Sequence, residues 1–397
     1  MKSPFNARAP NFDALAIQAT IRQALVSAGL DPSSGPMHGV TETIRRSLAT
    51  AGLAGPSATD VSEGDVIDVA VHEVQTETFA PSGSQPGPSA RPAGAPGSFD
   101  THAFGKPTSQ VKYKVYVPLR RSDVPPPVVV MLHGCTQTAD DFAAGTQMNR
   151  LADKHGFLVV YPEQPAQANA SRCWNWFKPQ DQARGAGEPA LIAGIVHEVV
   201  ARHGADARRI FVAGLSAGAA MAVILGETHP ELFAGVGAHS GLPYGSAHDV
   251  PSALAAMKGG RGKAGQVSGL AGTASGKRGG LTRPVPTIVF HGDRDHTVQH
   301  SNGTEIARQA SAAYATQGVQ KLQVDTQRNT AAGGRSVSRT VHTDAAGQAH
   351  IECWTLHGAG HAWSGGSPEG THTDTKGPDA SAEMVRFFLT LPGAGTA

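Results

Sequence analysis

The chain has 397 residues, 40% of them hydrophobic and 16% charged, and its 33 Lys and Arg balance 32 Asp and Glu to a formal net charge of +1 at pH 7. That balance excludes a protein built to bind nucleic acid through its phosphates, and it suits an uncharged substrate, because a near-neutral surface steers little. Three cysteines are too few for a disulfide scaffold, and no stretch approaches the ~18 apolar residues of a membrane-spanning helix.

Two short helical patterns open the chain. Residues 13–28 place Leu15, Ile17, Ile21 and Leu25 at roughly helical spacing, and residues 41–51 do the same with Ile44 and Leu48. The segments TIRQALVSAGL (20–30) and TIRRSLATAGL (43–53) agree at seven of eleven positions, and Gly29 and Gly52 stand where each helix would end. Such helices either dock on a larger domain or meet a hydrophobic surface or partner. Residues 54–79 carry one strand-like run, DVIDVAVHEV. Residues 80–98, APSGSQPGPSARPAGAPGS, hold too little apolar area to offset their ordering entropy and read as a flexible linker. The expected division is an N-terminal helical region (1–79), the linker (80–98) and a main domain (99–397).

In the main domain, apolar runs alternate with helical patterns. Strands are expected at VKYKVYVPL (111–119), PPVVVMLHG (126–134), GFLVVYPE (156–163), IFVAG (210–214), PTIVFHG (286–292) and AHIECWTLHG (349–358). Helices are expected at 141–155, 187–203 and 217–228. Val/Ile-rich runs separated by helices predict a mostly parallel sheet covered on both faces. The Gly-rich stretch 258–283 interrupts this pattern as a surface loop or cover.

The chemistry is written in the segment after IFVAG. GLSAG (214–218) fits G-x-S-x-G between a strand and a helix, the setting of a nucleophile elbow in an α/β-hydrolase. The turn lifts the Ser216 hydroxyl above the sheet, and the helix behind it aims free N–H groups at a reacting carbonyl. A serine needs a base, and the base needs an orienting acid, in the chain order Ser, acid, His. HGDRDHTV offers Asp293 and Asp295, and Asp295 is preferred because it lies further along the loop. HGAGHAW offers His357 and His361, and His361 is preferred because His357 would end the strand. His229, His239, His296 and His300 read as surface or supporting residues. The backbone N–H groups of Ala217 and of Cys135, in HGCTQ, are the expected oxyanion donors. Trp174, Trp176 and Trp363 border these motifs, either as core or as an apolar platform for substrate. Cys135, Cys173 and Cys353 leave two states open, one disulfide with one free thiol or three free thiols. The segments THTDT (371–375) and HGDRDH (291–296) contain metal-ligand residue types but lack H-E-x-x-H spacing, so neither a metal nor a cofactor is expected.

LHGCTQTADDFAAGTQMNRLADKHGFLVVYPEQ, CWNWF, FVAGLSAGAAM, HGDRDHTV and GAGHAWSGG, in that order, resemble the poly(3-hydroxybutyrate) depolymerase family of esterases over about residues 108–390. The resemblance implies the α/β-hydrolase fold and hydrolysis of short-chain polyhydroxyalkanoates or of other esters, feruloyl and acetyl esters among them. It places the nucleophile at Ser216, the acid at Asp295, the base at His361 and the oxyanion donors at Cys135 and Ala217. Relatives often have proline after GHxW, where this chain has Ser364. The primary expectation is a depolymerase of poly(3-hydroxybutyrate), with a small-molecule carboxylesterase or feruloyl esterase as runner-up. A non-catalytic granule-binding protein is the alternative of another class. The expected partners are an ester or polyester substrate and a hydrophobic polymer granule surface met by the N-terminal repeat; the oligomeric state is left open. The start MKSPFNARAPNFDALAIQ lacks the apolar core of a secretory signal, which leads to the expectation of a cytoplasmic, granule-associated enzyme. The alternative is secretion by a route without a recognisable signal.

Overall fold

The computed structural model describes residues 97–105, 110–119, 124–259, 283–316 and 322–394. All of them fall in the compact unit Pro88–Ala397. The N-terminal helical patterns, almost all of the expected linker and residues 260–282 of the Gly-rich stretch lie outside the described residues.

Ten strands form one sheet. In chain order they are β1 (Ser98–Phe104), β2 (Val111–Val117), β3 (Val128–Leu132), β4 (Leu158–Pro162), β5 (Ile210–Leu215), β6 (Gly235–His239), β7 (Thr287–Gly292), β8 (Gln323–Thr330), β9 (Ser336–Thr343) and β10 (Ala349–Leu356). The sheet order is β1-β2-β4-β3-β5-β6-β7-β10-β9-β8. The six strands from β4 to β10 run parallel, and antiparallel strands close both edges. The expected mostly parallel sheet is therefore the observed one. A two-stranded ladder, β11 (Trp363–Ser364) with β12 (Thr373–Asp374), stands apart.

Seven α-helices are described: α1 (Ala139–Thr146), α2 (Met148–His155), α3 (Gly187–His203), α4 (Ala217–Thr228), α5 (Val250–Met257), α6 (Ser301–Thr316) and α7 (Ala380–Thr390). Successive strand residues face opposite sides, so β3 feeds two cores. Val128, Val130 and Leu132 pack with Ile192, Ile195 and Val196 of α3 and with Met221, Ile224 and Leu225 of α4. Val129 and Met131 pack with Phe142, Met148 and Leu151 of α1 and α2 and with Met384 and Phe388 of α7. The helix expected over 141–155 is two helices, because Gln147 takes a left-handed conformation (φ 53°) that ends α1 and starts α2.

The sheet order also locates the site. From β3 the chain goes to β4 on one side and later to β5 on the other, so the segments leaving the carboxyl ends of β3 and β5 diverge. A crevice at such a switch point is where α/β sheets bind ligands. The segment after β3 is HGCTQ, and the segment after β5 is Ser216.

Candidate active site

Ser216 sits between β5 and α4 with φ 57° and ψ −118°, a conformation that costs a non-glycine residue about 1–3 kcal/mol and needs support from its surroundings. The two glycines of the motif supply the space. A Cβ on Gly214 would lie 2.5 Å from the Gly218 backbone, and one on Gly218 would lie 2.1 Å from Leu132 O. The elbow is thus pressed against the end of β3, and the start of α4 lies against the segment that carries Cys135. Among the described residues, the N–H groups of Cys135 and Ala217 are committed to no other hydrogen bond, as an oxyanion site requires.

The segment after β3 is braced from several sides. Gly134 N donates to Gln137 Oε1 (2.9 Å), and His133 Nε2 accepts from Gln164 N (3.1 Å). Trp174 Nε1 donates to His133 O (3.1 Å), and Cys135 is disulfide-bonded to Cys173. Of the two thiol states the sequence left open, the structure has the one with a single disulfide, and Cys353 is its free thiol. Behind Trp174, Glu188 near the start of α3 accepts from Asn175 N (2.8 Å), Asn175 Nδ2 (2.6 Å) and Gln164 Nε2 (2.6 Å). Burial, and next the charge of neighbouring Asp181, push the Glu188 carboxyl up to about 7.

The acid and base candidates pair one to one. His361 Nδ1 lies 2.7 Å from Asp295 Oδ2, and His357 Nδ1 lies 2.9 Å from Asp293 Oδ2. Asp295 is 2% exposed, and its Oδ1 accepts from Thr297 N (3.0 Å) and Val298 N (2.8 Å). Burial alone would raise its carboxyl, but the His361 hydrogen bond and charge and the Val298 N–H bring it below the ordinary range. Asp293 is more exposed and ties the turn after β7 to that after β10, accepting from Gly358 N (2.6 Å). His357 Nε2 meets Ser338 Oγ of β9 at 2.8 Å. With Nδ1 engaged by Asp295, His361 has Nε2 left for a serine proton. Among the described residues no hydrogen bond joins Ser216 Oγ to His361 in this resting state, a looseness common before substrate binds.

The tryptophans require a correction. Trp174 is 0% and Trp363 1% exposed, and Trp363 Nε1 donates to Ser381 Oγ (3.1 Å) on the α7 side. These two indoles are core and offer no face to a substrate. Trp176, 6% exposed, packs edge-on against the half-buried Phe177.

Sequence reasoning left His239 among the surface or supporting histidines. It ends β6 fully buried, its carbonyl accepts from Ser216 N (2.9 Å), and its Nε2 accepts from Ser364 N (3.0 Å). Its place at the carboxyl end of the strand beside β5 was the available signal, but the strand, GVGAH, was itself unrecognised.

With this geometry in view, comparison with known proteins is informative. The family model described as Esterase PHB depolymerase matches residues 111–317, more than half of the chain; the match takes in Cys135, Ser216 and Asp295 and ends before His361. The chain is 36% identical over 236 residues to poly(3-hydroxyalkanoate) depolymerase C of Paucimonas lemoignei, covering 59% of this chain and 54% of that one. It is 34% identical over 142 residues to feruloyl esterase B of Neurospora crassa, covering 36% of this chain and 47% of that one. The chain thus spans about half the length of these curated relatives. Among solved structures, the acetyl xylan esterase from Aspergillus awamori superposes with a TM-score of 0.55 at 22% identity, covering 73% of this chain and 98% of that one, which is a likeness of fold.

Proposed function

The chain belongs to the PHB depolymerase family of esterases, and from that premise we propose that it is a serine carboxylic ester hydrolase. Ser216 is the nucleophile, His361 the general base and acid, Asp295 the orienting carboxylate, and the N–H groups of Cys135 and Ala217 the oxyanion donors. As Ser216 Oγ attacks the ester carbonyl, its proton passes to His361 Nε2, and the new oxyanion accepts the two backbone N–H groups. The tetrahedral adduct collapses, the alkoxide leaves with the proton from His361, and an acyl-enzyme remains. Water repeats the sequence and releases the acid. Asp295 holds the Nδ1 tautomer throughout, and its carboxylate, reluctant to take a proton, stabilises the imidazolium. The observation that carries this reading is the 2.7 Å bond between buried Asp295 and His361.

For the substrate we propose a short-chain polyhydroxyalkanoate, poly(3-hydroxybutyrate) first. The similarity to a poly(3-hydroxyalkanoate) depolymerase supports it, as does the near-neutral charge. A feruloyl or other small ester is the second reading, supported by the similarity to a feruloyl esterase. Of the three tryptophans expected to border the substrate, Trp176 is the least buried, at 6% exposure. Product analysis on amorphous poly(3-hydroxybutyrate) beside a feruloyl ester decides between them: soluble hydroxybutyrate oligomers support the first, ferulate release alone the second.

For residues 1–60 we propose adsorption to a hydrophobic granule surface, on the strength of the repeated amphipathic pattern. A chain starting near residue 99 should then keep its activity on a soluble ester and lose granule sedimentation and polymer hydrolysis. Equal loss of both activities would contradict this. The cytoplasm is one proposed site of action. The Cys135–Cys173 bond favours the alternative, an oxidising compartment, because cytosolic thiols are kept reduced. Thiol counting on protein trapped in its native compartment separates the two.

A further inference from the structure

The three segments that bear the nucleophile, acid and base meet at one residue, through its backbone or its ring, that takes no part in the proton transfers. His239 stacks on Phe290 at 5.8 Å and 9° and on Trp363 at 5.1 Å and 26°. Phe290 lies in β7, whose continuation carries Asp295. Trp363 follows His361 by two residues. The backbone of His239 takes the Ser216 N–H, and its ring takes the Ser364 N–H. Building on the serine esterase reading above, we infer that His239 is a positioning residue whose Nε2 acceptor fixes the base-bearing loop of His361 relative to Ser216.

The hydrogen bonds set the tautomer. Because Nε2 accepts from Ser364 N, the ring proton is on Nδ1, which faces Ser240 Oγ at 3.3 Å. Protonation of Nε2 would turn the acceptor into a donor facing another donor. Burial, and next the neighbouring His291 and His361, push the ring's protonation down to about 3, so the acceptor persists over any ordinary working range.

The loop it holds is anchored to the acid-bearing segment by Arg294 N, which donates to Ala359 O (3.0 Å), and by the Asp295–His361 pair. Within Trp363–Ser364, Trp363 N donates to His372 O (2.7 Å), Ser364 Oγ to Pro378 O (2.8 Å), and Trp363 Nε1 to Ser381 Oγ. These contacts tie the loop to the chain that follows it. Among the described residues, the Ser364 N–His239 Nε2 hydrogen bond is the one that ties Trp363–Ser364 to β6, the strand beside the nucleophile. Since Ser216 Oγ and His361 share no hydrogen bond in the resting structure, their approach depends on how firmly each is held from behind.

The test uses the full chain with H239F, H239Q and S216A, each assayed for kcat and KM on p-nitrophenyl butyrate, with thermal melting and near-ultraviolet circular dichroism. Phenylalanine keeps a ring between Phe290 and Trp363 but has no acceptor; glutamine can place an amide oxygen near the position of Nε2. The expected result for H239F is a fall in kcat of about 10- to 100-fold, the scale set by displacement of a catalytic group by about 1 Å, with KM within about threefold of the parent. H239Q should recover kcat to within about fivefold of the parent. An H239F variant that stays folded and turns over within twofold of the parent overturns the inference, as does an H239Q variant as slow as H239F. Should H239F fail to fold, H239Q decides alone: kcat within about fivefold supports the inference, and a larger loss overturns it. If S216A stays active, the esterase reading itself fails; if S216A is inactive while H239F is unimpaired, only the role of His239 does.

Discussion

His357 Nδ1 lies 2.9 Å from Asp293 Oδ2, so the two residues that compete with the proposed acid and base are bonded to each other. Their rivals, Asp295 and His361, form the second pair at 2.7 Å. Asp295→Asn should therefore lower kcat by about 10³- to 10⁴-fold by favouring the wrong His361 tautomer. Asp293→Asn should loosen the turns after β7 and β10 and cost much less turnover. Steady-state kinetics on both variants check this, and a larger loss at Asp293 would reverse the assignment.

Gly218→Ala should fail structurally before it fails chemically. The added carbon would lie 2.1 Å from Leu132 O and 2.6 Å from His133 O, backbone atoms held within the sheet and at its edge. Neither can yield without moving β3 or α4, so a loss of more than about 3 kcal/mol of stability is expected. Chemical denaturation measures it; a variant as stable as the parent would contradict the close approach.

The Cys135–Cys173 bond spans 38 residues. Closing a loop of that length contributes roughly 2–4 kcal/mol, chiefly by restricting the unfolded chain. The double variant C135A/C173A keeps the backbone N–H of residue 135 but loses the brace on the segment that presents it. It should melt lower and lose kcat more than KM. Unchanged kcat in the folded variant would show that the remaining bonds to His133 and Gly134 suffice.

Glu188 predicts a pH dependence of stability with a definite sign. Its folded carboxyl is raised to about 7 from the ordinary value of 4.5, chiefly by burial. Between those values the folded chain holds a proton that the unfolded chain has released, so this group's contribution to stability falls as pH rises through the window. Melting temperatures of the parent and Glu188→Gln across pH 4.5 to 7.5 isolate the effect. The parent should lose ground to the variant as pH rises, and parallel curves would contradict the assignment.

The parallel core strands were legible because β3, β4, β5 and β7 are continuous apolar runs buried on both faces. β6 escaped notice because its residues are GVGAH, and the glycines that weaken its strand character are what admit α7. A Cβ on Gly235 would lie 2.8 Å from Leu391 Cδ1, and one on Gly237 would lie 2.8 Å from Met384 Sδ. β8 and β9 escaped because polar residues in a hairpin of one exposed and one half-buried strand carry little burial signal. In the site, the proposal of Ser216 rests on its local setting, and that of Asp295 and His361 on chain order. That Trp174 and Trp363 are core, and that His239 joins the three segments, depends on contacts between residues far apart in the chain. No local pattern encodes such contacts.

The most direct test of the account is covalent labelling with an alkyl fluorophosphonate, followed by peptide mass spectrometry. A serine becomes reactive toward such a probe when a base takes its proton and N–H donors meet the developing charge. The account predicts one adduct per chain, on Ser216, formed at a rate that collapses in His361→Ala and is abolished in Ser216→Ala. Labelling of another serine, or of Ser216 at the same rate without His361, would contradict it.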